Sequence, residues 1–167
     1  FVSDHGILLG ERGWTGKIAQ ELHPELIQVP CVMVHPEGKG AGSTSSYFAS
    51  THDVAPTLMS MAGVRPPAGM DGEDLSPVFD GDEPPERPYA YGGYFNHFYV
   101  RSGDWSYVAD NRGSDRELFD LTLDPAELNN VAAEQREVEE EMHAWLLERI
   151  GGLPPYYEGQ AVERVKR

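Results

Sequence analysis

A run from Val64 to Pro88, dense in Pro, Gly and Asp and holding only the short apolar piece Leu75 to Phe79, divides the chain into two kinds of patterning. Proline removes a backbone donor and glycine offers no side chain to pack, so such a run crosses a surface as a linker. The expected organisation is a core α/β part over residues 1–85, a small antiparallel α+β subdomain over 86–152, and a loosely ordered tail over 153–167.

Before the linker the signals are those of an α/β protein. Apolar Phe1-Val2 read as the end of a buried strand that stops at Ser3-Asp4-His5-Gly6. Residues 15–26 are short and mixed, grouped around Ile18, Leu22 and Leu26. Ile27 to His35 forms a nearly continuous apolar stretch, read as a buried strand entered through Pro30 with Cys31 as a small buried hydrophobe. Residues 36–46 are rich in Gly, Ser and Pro and form an exposed loop. Thr51 is a candidate N-cap for a helix carrying Val54, Leu58, Met61 and Ala62 on one face, packed on the sheet and stopped by Gly63.

After the linker the period changes to that of strands. Tyr89 to Tyr91, Tyr94 to Arg101, Trp105 to Ala109 and Glu117 to Leu121 are separated by the turn clusters Ser102-Gly103-Asp104 and Asn111-Arg112-Gly113-Ser114. A small antiparallel sheet follows from this. Asn129 or Asn130 is placed to cap a last helix with an apolar stripe of Val138, Met142, Trp145, Leu146 and Ile150, ended by Gly151-Gly152. The acidic residues from Glu134 to Glu141 read as its solvated face.

Chemistry concentrates at the opening loop. At the carboxyl end of a strand in a parallel sheet, short polar side chains project into a crevice. Asp4 offers a hard carboxylate oxygen and His5 an imidazole nitrogen, which together suit a divalent cation. Gly6 lets the backbone approach a neighbour closely, and Lys17 offers a point charge for an anionic oxygen. On spacing alone, a turn with a capping Asp explains the same residues. For His52-Asp53, the simple reading is a polar helix start whose Asp meets the helix dipole.

Taken in order, these strings resemble a known family. Ser3-Asp4-His5-Gly6, Leu9-Gly10-Glu11, Lys17 and Val29-Pro30 followed by Cys31 to Val34 are similar to the metal-and-anion segment of the type I sulfatases, in the alkaline phosphatase superfamily. The likeness continues through His52 to Leu58, Ala62-Gly63-Val64, Met70-Asp71-Gly72 and Leu75. It resumes at Glu117 to Leu121, Asp124-Pro125, Glu127 and Asn130. Arg12 and Gln28 depart from it, standing where many members have His and Arg.

The resemblance implies the C-terminal part of a sulfatase-like, mostly parallel sheet with helices, then a small antiparallel sheet and a C-terminal helix. It also implies that Asp4 and His5 ligate one divalent metal, Ca²⁺ or Mn²⁺, and that Lys17 binds a non-bridging oxygen of a sulfate ester. The family nucleophile is a formylglycine made from the cysteine of a Cys-x-Pro/Ala-x-Arg string. Cys31, the one cysteine, is followed by Val-Met-Val-His, so the nucleophile is expected upstream of this stretch, with the remaining ligands. The chain is then a portion of the enzyme, inactive alone and expected to self-associate through bared apolar strand flanks, which size-exclusion chromatography reads directly. Two other readings stand beside it. One is a phosphonate monoester or phosphodiester hydrolase of the same superfamily, which shares the Asp-His pair. The other is a non-enzymatic binding or assembly module.

Charge narrows the partners. Twenty-eight acidic against 13 basic residues give a formal net charge of −15, which opposes phosphate backbones and anionic lipid, so nucleic acid is not an expected partner. Only three of the basic residues are lysines, at 17, 39 and 166, which makes Lys17 a scarce type in a suggestive place. No apolar run is long enough to span a membrane.

Overall fold

The computed structural model describes residues 1–18, 20–82 and 84–158. In chain order its elements are β1 (Leu8–Leu9), β2 (Thr15–Gly16), α1 (Pro24–Ile27), α2 (Val54–Met61), β3 (Ala90–Tyr94), β4 (His97–Arg101), β5 (Trp105–Asp110), β6 (Glu117–Asp120) and α3 (Arg136–Ile150). Two compact units divide them: Phe1–Asp4 with Pro30–Ala90, and His5–Val29 with the chain from Tyr91 onward. No helix among the described residues is long and apolar enough to cross a membrane.

The first unit is built around α2 and the turn before it. Ser50 caps a 3₁₀ turn at Thr51–Asp53 in a reciprocal capping box with Asp53, and α2 starts after it, so the cap is Ser50 and not the expected Thr51. The buried face of α2 is Pro56 and Thr57, while Leu58 is 59 % exposed. The helical spacing of Val54, Leu58 and Met61 therefore does not mark the face buried within this unit, where the described residues form no sheet for that stripe to cover. The expected strands at 1–2 and 27–35 reduce to an antiparallel bridge between Val2 and Cys31, with Val32 N–H donating to the Phe1 carbonyl at 2.8 Å. A strand keeps its ladder and hides its side chains only with neighbours beside it. With one bridge, Cys31 is exposed rather than buried, as are Val32, Met33 and Val34.

The second unit has a layered core. The sheet runs β3-β4-β5-β6, with β4–β5 and β5–β6 antiparallel and β3–β4 joined through Phe95-Asn96, a connection too short for anything but an antiparallel pair. Register places Phe98 beside Ala109, Val100 beside Tyr107 and Tyr107 beside Leu118, so these side chains share one face. Against it lies α3, burying Met142 and Leu146, with His143 Nδ1 2.9 Å from the Tyr107 hydroxyl. The Asn111–Ser114 turn closes because Asp110 Oδ1 accepts from the N–H groups of Arg112 and Ser114 at 3.1 and 2.7 Å.

Gly151 ends α3 in the left-handed conformation, as expected, but the helix begins at Arg136 without a side-chain cap. Asn130 is engaged elsewhere: its Oδ1 accepts from the N–H groups of Leu118 and Ala132. Glu139 leaves the solvated acidic face and pairs with Arg116 at 2.7 Å. Residues 153–158 are tied down, since Asn96 exchanges two hydrogen bonds with the Tyr157 backbone at 2.9 and 2.8 Å. The remainder of the expected tail, 159–167, lies outside the described residues.

Candidate active site

The opening loop is a stretch of 25 residues, 5–29, that belongs with the sheet of the second unit. Leu8, Ile18 and Leu26 bury one small apolar cluster, flanked by Trp14 and Ile27, and the β1–β2 hairpin sets Leu8 opposite Gly16. Gly6 passes close to the backbone of α1. Its N–H donates to the Leu26 carbonyl at 2.8 Å, and a Cβ there would stand 1.9 Å from the Glu25 carbonyl oxygen. The close approach expected of Gly6 is thus made to the chain's own backbone.

Asp4 is exposed and closes the first segment of the first unit; His5, half-buried, opens the second unit. His5 Nδ1 stands 2.7 Å from the carbonyl oxygen of Gly6. A carbonyl only accepts, so Nδ1 carries a proton and donates this bond. This is the arrangement that orients an imidazole for a metal. A carboxylate and an imidazole fit a divalent ion as part of a larger donor set; among the described residues no group of three such side chains is placed to hold one. Lys17 is exposed, and its Nζ lies 4.0 Å from the centre of the Tyr94 ring.

Residues whose roles the sequence concealed hold this loop in place. Glu127 is fully buried, with φ 54. Its carboxylate accepts from Arg101 Nη1 and from His23 Nδ1, the latter at 2.8 Å. Arg12 donates to the carbonyls of Glu127 and Ala126 at 2.9 and 2.8 Å. The position that departs from the family pattern is therefore a tether between the loop and the 126–127 turn. Its only signal in the sequence was that departure.

His23 also stacks edge-on against Phe119, at 5.3 Å between ring centres. Its Nε2 faces Glu21 and Glu117 at 3.7 and 3.8 Å. Around these groups, on the sheet face away from α3, lies a half-open cavity of about 600 Å³ lined by Arg12, His23, His97, Glu117, Phe119 and Glu127, among others. Burial pushes the Glu117 carboxyl above the usual range, against the pull of His23. Burial pushes the His97 imidazole below its ordinary value, and its Nδ1 is buried without a hydrogen-bond partner. In the first unit, Asp53 stands at a polar helix start, as expected, and does more than cap it. That carboxylate is 1 % exposed and forms a bidentate pair with Arg87 at 2.7 and 2.6 Å.

The family described as N-sulphoglucosamine sulphohydrolase, C-terminal, matches residues 10–151. An N-acetylglucosamine-6-O-sulfatase of Bacteroides thetaiotaomicron is 33 % identical over 144 residues, which is 78 % of this chain and 25 % of the relative. A structure solved in complex with its substrate D-glucosamine-2-N,6-O-disulfate superposes with a TM-score of 0.77 and 30 % identity, covering 90 % of this chain and 33 % of the other. The phosphonate monoester hydrolase of Agrobacterium radiobacter superposes with a TM-score of 0.75 and 28 % identity, covering 90 % and 34 %. The chain thus spans about a quarter to a third of the length of the proteins it matches.

Proposed function

Because the chain belongs to the N-sulphoglucosamine sulphohydrolase C-terminal family and is the C-terminal portion of a type I sulfatase, we propose that it supplies part of the site of a metal-dependent sulfuric ester hydrolase. The observation that carries the reading is the likeness, over nine-tenths of the chain, to a structure bound to a sulfated glucosamine. In this reading Asp4 and His5 hold one divalent ion, Ca²⁺ or Mn²⁺, with His5 donating through Nε2. The ion, when bound, withdraws charge from the transferred sulfuryl group as a Lewis acid.

Lys17 binds a non-bridging sulfate oxygen. Its fixed positive charge gains value as negative charge grows on those oxygens, which is stabilisation of the transition state rather than of the ester. The nucleophile, a formylglycine, and the remaining ligands come from the longer protein. Two donors do not close the six or more positions a hard cation prefers, so the stretch alone is inactive.

The test uses the full-length gene product with 4-nitrophenyl sulfate and the matching phenylphosphonate ester. The sulfate is expected to be the better substrate, EDTA to abolish turnover, and Lys17→Ala to lower kcat/KM by about 10²- to 10³-fold, as loss of one oxyanion donor does. Better turnover of the phosphonate would favour the second reading, a phosphonate monoester hydrolase, which the Agrobacterium likeness and the Asp-His pair support. Lys17→Ala with undiminished activity would remove the lysine from either.

A further inference from the structure

We propose that Tyr94 is a positioning residue for Lys17, holding its ammonium for the anionic group of the substrate without neutralising it. The proposal rests on the reading of Lys17 given above. It starts from the contact itself: Lys17 Nζ lies 4.0 Å from the centre of the Tyr94 ring, well inside cation–π range.

Both ends of this contact are anchored, so the ring is a fixed platform and only the lysine stem is left to order. Tyr94 is the last residue of β3. The turn beyond it is braced: Phe95, at φ 59, stacks on Tyr157 with ring centres 6.0 Å apart, and Asn96 bonds twice to the Tyr157 backbone. On the other side, Thr15 and Gly16 pair with β1 and Ile18 is buried. A lysine stem has four rotatable bonds, and most of its rotamers point elsewhere.

The choice of partner matters for an anion site. A carboxylate would order the ammonium equally well, but an arriving sulfate would then displace a like charge. An aromatic face attracts the cation through its quadrupole and leaves the full positive charge to the ligand. Tyr94 is 41 % exposed, so substituting it opens no core cavity.

The test is steady-state kinetics of the full-length protein on 4-nitrophenyl sulfate with Tyr94→Leu, Tyr94→Phe, Lys17→Ala and the Lys17→Ala/Tyr94→Leu double variant. Tyr94→Leu should lower kcat/KM about two- to five-fold, the range of an exposed cation–π pair, with the loss falling mainly in kcat because Lys17 acts on the transition state. Tyr94→Phe, which keeps the ring, should match the parent. In the Lys17→Ala background the leucine should add nothing. A Tyr94→Leu enzyme equal to the parent, a Tyr94→Phe enzyme as impaired as Tyr94→Leu, or a leucine effect that persists without the lysine would each overturn the proposal while leaving the role of Lys17 standing. If Lys17→Ala itself is harmless, both fall together. Should Tyr94→Leu lower the melting temperature, Tyr94→Gln provides the same comparison.

Discussion

Among the described residues each unit has one carboxylate at 1 % exposure or less, and the two are used differently. Asp53, in the first unit, accepts from the backbone N–H groups of Ser50 and Glu73 and from both terminal nitrogens of Arg87, so four donors converge on its two oxygens. Glu127, in the second, takes its side-chain donors from Arg101 and His23 and lends its backbone carbonyl to Arg12. The unit that holds Glu127 also has a four-stranded sheet covered on its other face by α3, with Val100, Tyr107, Leu118, Met142 and Leu146 at 1 % exposure or less. Around Asp53 the buried company is Pro56, Thr57 and Leu75, and the N–H of Leu75 itself donates to the Thr57 hydroxyl. The two sites differ in how much apolar packing accompanies the buried charge. The first unit is held by polar geometry, the second by area removed from water with polar geometry added.

The sharpest way to break this contrast is Asp53→Ala. It strands Arg87 in a site where only 11 % of its side chain is exposed and removes the acceptors of two backbone N–H groups. A loss of about 3–5 kcal/mol is expected, the cost of breaking one side of a buried pair, and denaturant unfolding should show it. Glu127→Gln should cost less, about 1–3 kcal/mol: one acceptor oxygen remains and the layered core persists. Its unfolding curve should shift in midpoint and stay cooperative. Equal losses, or a larger one at Glu127, would mean that the apolar layers do not share the burden as proposed.

The two units also differed in how far the sequence reveals them. The second was legible in its outline because its signals are local. Alternation with period two marks β4 and β5, Gly- and Ser-bearing turns separate them, and Gly151 marks the end of α3. What it hid was long-range: His23 meeting Glu127 across 104 residues, or Asn96 meeting Tyr157 across 61. In the first unit the local signals pointed to buried strands, because an apolar run such as 31–34 looks the same whether or not neighbours flank it. The buried ion pair there joins Asp53 and Arg87, 34 residues apart, a pairing that no local pattern announces. At the candidate site, Asp4, His5 and Lys17 stood out by residue type and order. The bond from His5 Nδ1 to the Gly6 carbonyl, the Arg12 tether and the Tyr94 platform emerged only from the fold.

The smallest expected effect separates the units by pH. In the second, His97 and His143 both have imidazoles pushed below their ordinary value, first by burial; Arg116 adds to the depression at His143, while Asp110, Asp115 and Glu21 oppose it at His97. A depressed folded value means that folding prefers the neutral ring. The corresponding stability is complete above the unfolded pKa of about 6.5 and is lost as pH falls through the lower folded value. His97→Gln keeps a polar side chain that does not titrate, so it should flatten the fall in stability as pH drops below about 6.5 while leaving the curve above pH 7 in shape. His97 stands in register with Asp110, whereas His143 meets Tyr107 from α3, so the two histidines answer to opposite faces of the sheet. Adding His143→Gln should flatten the fall further, close to the sum of the single effects. If neither substitution changes the acid limb, these two rings do not set it.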